Sequence, residues 1–199
     1  MKQIVIIGAG GHGRVTAEIA LQKYEKVIFL DDDQLLNNIS GKVLDYDKFN
    51  NSDYFVAIGN NVVRKSISMD LIQKGYNLVS LISPYAVVSS SAKIGRGSVI
   101  MNGAVVNANA NIGNGVIINT CSSVDHDCVI GDYSHISVGA HLAGTVTVGE
   151  NVLIGCGGIV INNITICDNV IIGAGATVVA SITKAGTYIG VPAKEKEKV

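Results

Sequence analysis

Three stretches of the chain carry side chains able to do chemistry. Asp125-His126-Asp127 sets an imidazole between two carboxylates. A carboxylate can fix the tautomer of a neighbouring imidazole and stabilise the imidazolium formed when it takes a proton, so His126 is a candidate general base. An ordinary surface histidine beside two solvated acids fits the same residues. Gly8-Ala9-Gly10-Gly11-His12-Gly13 matches GxGxxG, with Asp31, Asp32 and Asp33 closing the next apolar run. Such a loop presents backbone N–H groups and a helix N-terminus to a phosphate. Glycines serving only the turn and close helix packing would read alike. A phosphate cradle needs only small residues, so His12 is unusual in it, and its ring could donate to a phosphate or sugar oxygen. The third stretch is Ala57-Ile58-Gly59-Asn60-Asn61 followed by Arg64. It closes an apolar run, where ligands bind in open parallel sheets, so the two loops are expected to face one crevice. No GxSxG elbow is present, which argues against a Ser-His-Asp hydrolase.

The elements that must position these residues divide into two kinds. Ile4 to Ile7, Val27 to Leu30, Tyr54 to Ile58 and Leu78 to Ile82 read as strands, and Arg14 to Lys23 and Asn61 to Lys74 as helices. Alternation of this kind predicts a small parallel α/β sheet over residues 1–83. About eighty residues supply little more than one mononucleotide half, so a single nucleotide or nucleotide sugar is preferred to NAD.

From Ile94 to Val178 an aliphatic residue recurs at every sixth position, fifteen times without a gap. Neither a helix nor a half-buried strand has that period; it describes a chain that turns a corner every six residues and winds into a prism of eighteen-residue coils. Small residues such as Ala104, Ala110, Ser122 and Ala140 stand two places before the aliphatic and suit a narrow interior. Glycine follows it at 95, 113, 131, 149 and 173, which suggests one corner per coil with unusual backbone angles. About five coils are expected, at ~4.8 Å spacing. His126 falls at a corner, outside the core pattern. His135 and His141 each precede an interior aliphatic and point outward, and His135 lies half a coil from His126, on a different side of the prism.

Composition narrows the field further. The net charge is −1 and no Lys or Arg occurs from Gly97 through Thr183, so a nucleic-acid partner is not expected. The uncharged stretch from Ser98 to Val124 holds six Asn residues and keeps the period of six, which rules against membrane insertion. Met1 leads directly into a strand-like run without a secretory leader, and a cytoplasmic location is expected. Cys121, Cys128, Cys156 and Cys167 show no CxxC pairing, so neither a metal nor a disulfide framework is expected.

The period of six over Val88 to Val178 resembles the left-handed parallel β-helix of bacterial acyltransferases, whose prisms associate as trimers. With GAGGHG, FLDDD, AIGNNVVRK, NTCSSVDHDCVIGDYSHISVGAHLAG and GVPAK in order, essentially the whole chain resembles the bacterial nucleotide-sugar acetyltransferases of the PglD/NeuD type. The nearest resemblance is to the UDP-4-amino-sugar N-acetyltransferases; the sialic acid O-acetyltransferases are a wider cousin. The resemblance implies an α/β Rossmann-like nucleotide-sugar domain at 1–83 and an acetyltransferase β-helix with its tail at 84–199. It implies acetyl-CoA as co-substrate and a homotrimer.

It also assigns roles. His126 is the general base and Asp127, where the family has Glu, orients it. Acetyl-CoA falls to His135, Gly144, Gly155 and Gly173, with the Gly144 amide at the thioester carbonyl. The nucleotide sugar falls to Gly10, Gly11, His12, Gly13, Asp31, Asp32, Gly59, Asn60 and Arg64, and to Asn119, a polar residue close to the base. Gly10 stands where a relative has Ser. The implied reaction is direct acetyl transfer to the amine of a UDP- or dTDP-linked 4-amino-deoxy sugar. O-acetylation of a sugar, or a non-catalytic nucleotide-binding trimer, are the alternatives.

Overall fold

The computed structural model describes residues 2–33 and 35–196. Met1, where the first domain was expected to open, and the last three residues of the tail lie outside the described residues. Internal contacts divide the chain into two compact units, Met1–Leu81 and Ile82–Val199.

The first unit is built on a five-stranded sheet. Strands β1 (Gln3–Ile7), β2 (Lys26–Leu30), β3 (Ile39–Gly41), β4 (Asp53–Val56) and β5 (Asn77–Leu78) lie in the order β3-β2-β1-β4-β5, all parallel. Helices α1 (Gly11–Ala20) and α2 (Asn61–Gln73) connect them. The central strand β1 is buried on both faces, which is why Ile4 to Ile7 is a continuous apolar run. Helix α1 begins three residues earlier than its apolar pattern suggests, inside the glycine motif itself. The short β3 and a 3₁₀ segment at Val43–Phe49 carry no periodic signal and were not legible in the sequence. The expected strand from Leu78 to Ile82 is two pieces, Asn77–Leu78 on this sheet and Leu81–Ile82 on a sheet of the solenoid.

The second unit is a left-handed parallel β-helix of about six turns. Face I carries the rungs Ile117–Ile118, His135–Ile136 and Leu153–Ile154. Face II carries Val105–Val106, Ser123–Val124 and His141–Leu142, and face III carries Asn111–Ile112, Val129–Ile130 and Thr147–Val148. Each of these rungs pairs in parallel with residues eighteen further on, as Val124 does with Leu142. The period-six aliphatics fill the axis, and from Ile100 to Val178 each is at most 1% exposed. A fully buried side chain of this size contributes about 1.5–3 kcal/mol, which is where the stability of a fold built from two-residue strands resides. The buried Ser98 and Ser134 hydroxyls each donate to a carbonyl of the next coil and accept a backbone N–H from it.

The corners differ from expectation in an instructive way. Glycines 95, 113, 131, 149 and 173 do not have positive φ. A Cβ on Gly95 would lie 2.4 Å from the Gly113 carbonyl, so these glycines are required by the close approach of the next coil. The left-handed residue stands three places after each aliphatic and recurs at every corner from Gly97 to Gly175. Six of these are Gly and four are Asn, but Cys121, Asp127, Tyr133 and Thr145 also hold φ between 55° and 60°.

Ile117 also precedes an interior aliphatic, a place whose side chains point outward, yet it is only 1% exposed within the chain. At the same place in other coils Val87, Val129, Ile159 and Ile171 are exposed.

Candidate active site

His126 stands on the corner between faces II and III, where the turn residues 125–127 leave its ring in solvent. Asp125 Oδ1 accepts the His126 backbone N–H at 2.7 Å and so holds the turn. Asp127 Oδ2 lies 2.8 Å from His126 Nδ1. The shorter side chain of Asp, set against the family's Glu, therefore does not lengthen this bond. The reason is Asp127's left-handed backbone, φ 58°, which turns the carboxylate back toward its neighbour. A carboxylate only accepts, so Nδ1 carries the proton and the Nε2 lone pair is left outward. The bond to Asp127 raises the His126 pKa above its ordinary value; burial opposes it, and the charges of Asp125 and Asp127 add to the rise. The same bond, then that from Asn109, holds Asp127 low.

Gly144 occupies the same corner one coil later. A Cβ there would come 2.5 Å from His126 Nε2 and 2.6 Å from Cε1, so the imidazole lies over the glycine and only glycine admits it. The Gly144 N–H takes no acceptor among the described residues, which leaves it open beside Nε2.

The other sites expected on the prism are placed differently. His135 is on face I, opposite the corner that carries His126. Asn119, expected near the base, instead lies 3.0 Å from His135 Nε2. Within one chain the base and the Asn119–His135 pair are separate. His141, on face II, has Nδ1 2.9 Å from Ser123 Oγ. Gly155 and Gly173 donate their N–H groups to the carbonyls of Ile172 and Tyr188, and a Cβ on either would strike the next coil or the closing strand. Packing accounts for both. Lys184, which ends the stretch without Lys or Arg, is paired with Glu195 at 2.7 Å.

In the first unit the glycine motif splits into two classes. A Cβ on Gly8 would lie 2.6 Å from the Ala57 carbonyl, and one on Gly13 only 1.9 Å from the Gly8 carbonyl, so both are required by backbone packing. The first contact also brings the two predicted loops side by side. Gly10 and Gly11 have open space where a Cβ would be. Helix α1 has no side-chain cap and no acidic residue in its first turn, so its N-terminus points unneutralised partial positive charge at that opening.

His12 sits in that first turn with its Nε2 buried and unpartnered among the described residues. Burial, then the positive charge of Arg64, lowers its pKa to about 4, so the ring is neutral. Arg64 itself is 1% exposed, with its guanidinium donating to the Ile58 and Gly59 carbonyls and to Asn61 Oδ1. Asn60 caps α2 by accepting the Val63 N–H at 3.0 Å. Both have structural work in the loop where nucleotide contacts were expected, whereas Gly59 is open. Asp31 Oδ2 accepts the Ala9 N–H at 2.7 Å and ties β2 to the glycine loop, while Asp32 accepts the Val43 N–H. A cleft of about 480 Å³ opens beside this loop, lined by Ala9, Arg14, Phe29, Leu36, Asn37 and Asn38. Its Asn amides and aromatic floor were not signalled by any motif.

Fold and site together define an acetyltransferase: a hexapeptide-repeat prism with an exposed imidazole at one corner, joined to an α/β unit with an open phosphate-type loop. Comparison with known proteins makes this specific. Residues 3–71 match the PglD N-terminal domain. The acetyltransferase domain of PglB from Neisseria gonorrhoeae is 41% identical, with a TM-score of 0.95 over 98% of this chain and 100% of that one. The same domain has been solved in complex with acetyl coenzyme A. PerB from Caulobacter crescentus, in complex with CoA and GDP-perosamine, is 37% identical, with a TM-score of 0.94 over 99% of this chain and 98% of that one. The UDP-N-acetylbacillosamine N-acetyltransferase of Bacillus subtilis is 38% identical over 112 residues; the match spans 51% of this chain and about half, 52%, of that protein. The chain belongs to the PglD-type family of nucleotide-sugar N-acetyltransferases.

Proposed function

We propose that this chain transfers the acetyl group of acetyl-CoA to the amine of a nucleoside-diphosphate-linked 4-amino-deoxy sugar, with His126 as general base. The observation that carries the reading is the His126–Asp127 pair at 2.8 Å, packed over Gly144 with Nε2 free to accept. The amine nitrogen attacks the thioester carbonyl carbon while its proton passes to His126 Nε2. The Gly144 N–H donates to the developing oxyanion. The intermediate collapses with cleavage of the C–S bond, and the thiolate leaves as CoA with the proton that His126 took from the amine, returned directly or through solvent, so no acyl-enzyme forms.

The open amides at Gly10 and Gly11 and the uncapped start of α1 support a diphosphate there, with neutral His12 donating to a phosphate or sugar oxygen. Gly59 borders the same loop, and Asp31, Asp32, Asn60 and Arg64 support its backbone. His135 and Asn119 belong to the acetyl-CoA side of the reaction. Because they lie on a different face from His126, the reading includes a homotrimer in which base and acetyl-CoA groove come from adjoining prisms. It includes a cytoplasmic location, where acetyl-CoA is available; among the described residues no helix is long and apolar enough to cross a membrane.

The relatives named for bacillosamine and perosamine N-acetylation favour an amine over a hydroxyl acceptor. The test is turnover of acetyl-CoA with GDP-perosamine, dTDP-4-amino-4,6-dideoxyglucose and a UDP-linked 4-amino sugar. His126→Ala is expected to lower kcat by about 10²- to 10⁴-fold, the range for a general base. A variant that kept near wild-type turnover would remove His126 from the mechanism. A product cleaved by hydroxylamine would be an ester and would establish O-acetylation instead.

A further inference from the structure

The two carboxylates beside His126 are themselves held, each by an amide from the coil before. Asn107 Nδ2 donates to Asp125 Oδ1 at 2.9 Å, and Asn109 Nδ2 donates to Asp127 Oδ1 at 3.0 Å, both across one coil of eighteen residues. Asp127 is thus fastened at both oxygens, one to Asn109 and the other to the His126 ring. Asn109 is anchored in turn, since its backbone N–H donates to Ser91 Oγ at 3.0 Å. Ser91, Asn109 and Asp127 therefore form a ladder along the corner that ends at the imidazole.

That second fastening matters because the pair is not enclosed. The side chains of His126 and Asp127 are 56% and 49% exposed. In water a carboxylate held at one oxygen turns readily about its last torsion and exchanges its partner for solvent. A donor on the opposite oxygen removes that freedom. The charges that bear on His126 are Asp125 and Asp127, both from its own coil. The preceding coil contributes Ala108 and Asn109 to the corner and the following one Gly144 and Thr145, none of them charged.

We propose that Asn109 is a positioning residue for the reaction: it clamps Asp127 so that Oδ2 stays on His126 Nδ1 and Nε2 stays aimed at the acceptor amine. The inference rests on His126 being the base, and it concerns a residue that acts on the ring through Asp127.

The test is Asn109→Gly in the full chain, alone and combined with Asp127→Asn. Glycine is chosen because Asn109 has φ 59°, where alanine would add backbone strain. The expected result is a fall in kcat of about tenfold, the lower end for a group that orients a functional imidazole, with KM unchanged for acetyl-CoA and sugar nucleotide. The double variant should be no slower than Asp127→Asn alone, since the clamp then has nothing to hold. A second readout needs no sugar: in an NMR titration of the imidazole, His126 should titrate at lower pH in Asn109→Gly than in the wild type. Wild-type kcat and titration in Asn109→Gly, or a loss that multiplies with Asp127→Asn, would overturn the proposal. If His126→Ala were fully active, the base assignment would fail while the NMR result still decided whether Asn109 holds the pair.

Discussion

The imidazole of His126 lies where a Cβ on Gly144 would have to be, 2.5 Å from Nε2, although the two residues are a full coil apart in sequence. This contact joins the proposed base to the proposed oxyanion donor. A side chain at 144 would displace the ring before it disturbed the fold.

Gly144→Ala should therefore separate activity from stability. Gly144 does not have positive φ, so alanine meets no backbone strain and must only push aside an exposed ring. We expect kcat to fall on the order of 10²-fold, as for a catalytic group misplaced by about 1 Å. Circular dichroism and the melting temperature should stay close to wild type. A variant that melts early and regains full kcat on cooling would show that Gly144 serves the coil and not the ring.

The pH profile follows from the His126–Asp127 bond. That bond raises the His126 pKa, and the base acts only when neutral, so kcat/KM should fall on the acid side through a pKa above 6.5. In Asp127→Asn this limb should move to lower pH as the maximum rate drops. Stability has the opposite sign: the folded-state pKa lies above the unfolded one, so the pair's contribution is present below pH 6.5 and is lost as pH rises through the folded value. Initial rates from pH 5 to 9 check the first point; an acid limb unmoved by Asp127→Asn would show that the carboxylate does not act on the ring.

The glycine loop offers a paired comparison. Gly13→Ala would place its methyl 1.9 Å from the Gly8 carbonyl, a backbone clash that neither partner can relieve, and should destabilise the first unit by about 3 kcal/mol or more. Gly11→Ala meets no atom within 4 Å and should leave stability unchanged or raised by about 0.5–1 kcal/mol, since alanine is the better helix residue. It would nevertheless put a methyl on the open N-terminus of α1, and calorimetry with UDP, dTDP and GDP should show weakened binding. Undiminished binding of all that bind the wild type would move the phosphate site elsewhere.

The aliphatic period made the prism, its interior and the exposed corner at His126 legible, because burial on the axis imposes the same residue type at every sixth place. The left-handed positions were not legible. They tolerate Gly, Asn, Asp, Cys, Tyr and Thr alike, while the more conspicuous glycines answer to a different demand, the approach of the next coil. Asn109 was hidden for a related reason: the eighteen-residue step places it in line with Asp127, but that its side chain reaches the carboxylate depends on the left-handed corner geometry of both residues. The same step separates His126 from Gly144. In the first unit GxGxxG marked the right loop, but which of its glycines pack and which stand open depends on the Gly8 and Ala57 carbonyls, and no spacing rule conveys that. Asn119 was placed near the base through family resemblance; within one chain its side chain pairs with His135, a neighbour that no motif announced.

The uniform eighteen-residue rise also restricts how such a chain can change length. Removing six residues anywhere between Asp127 and Gly144 would keep every aliphatic on the axis, yet it would turn all later side chains by one face and take Gly144 out from beneath His126. Removing eighteen would restore the phase but substitute Asn162 for Gly144 at that level. Growth and shrinkage are therefore quantised in whole coils, and even a whole coil can be exchanged safely only away from the three successive levels that hold Asn109, the His126–Asp127 pair and Gly144.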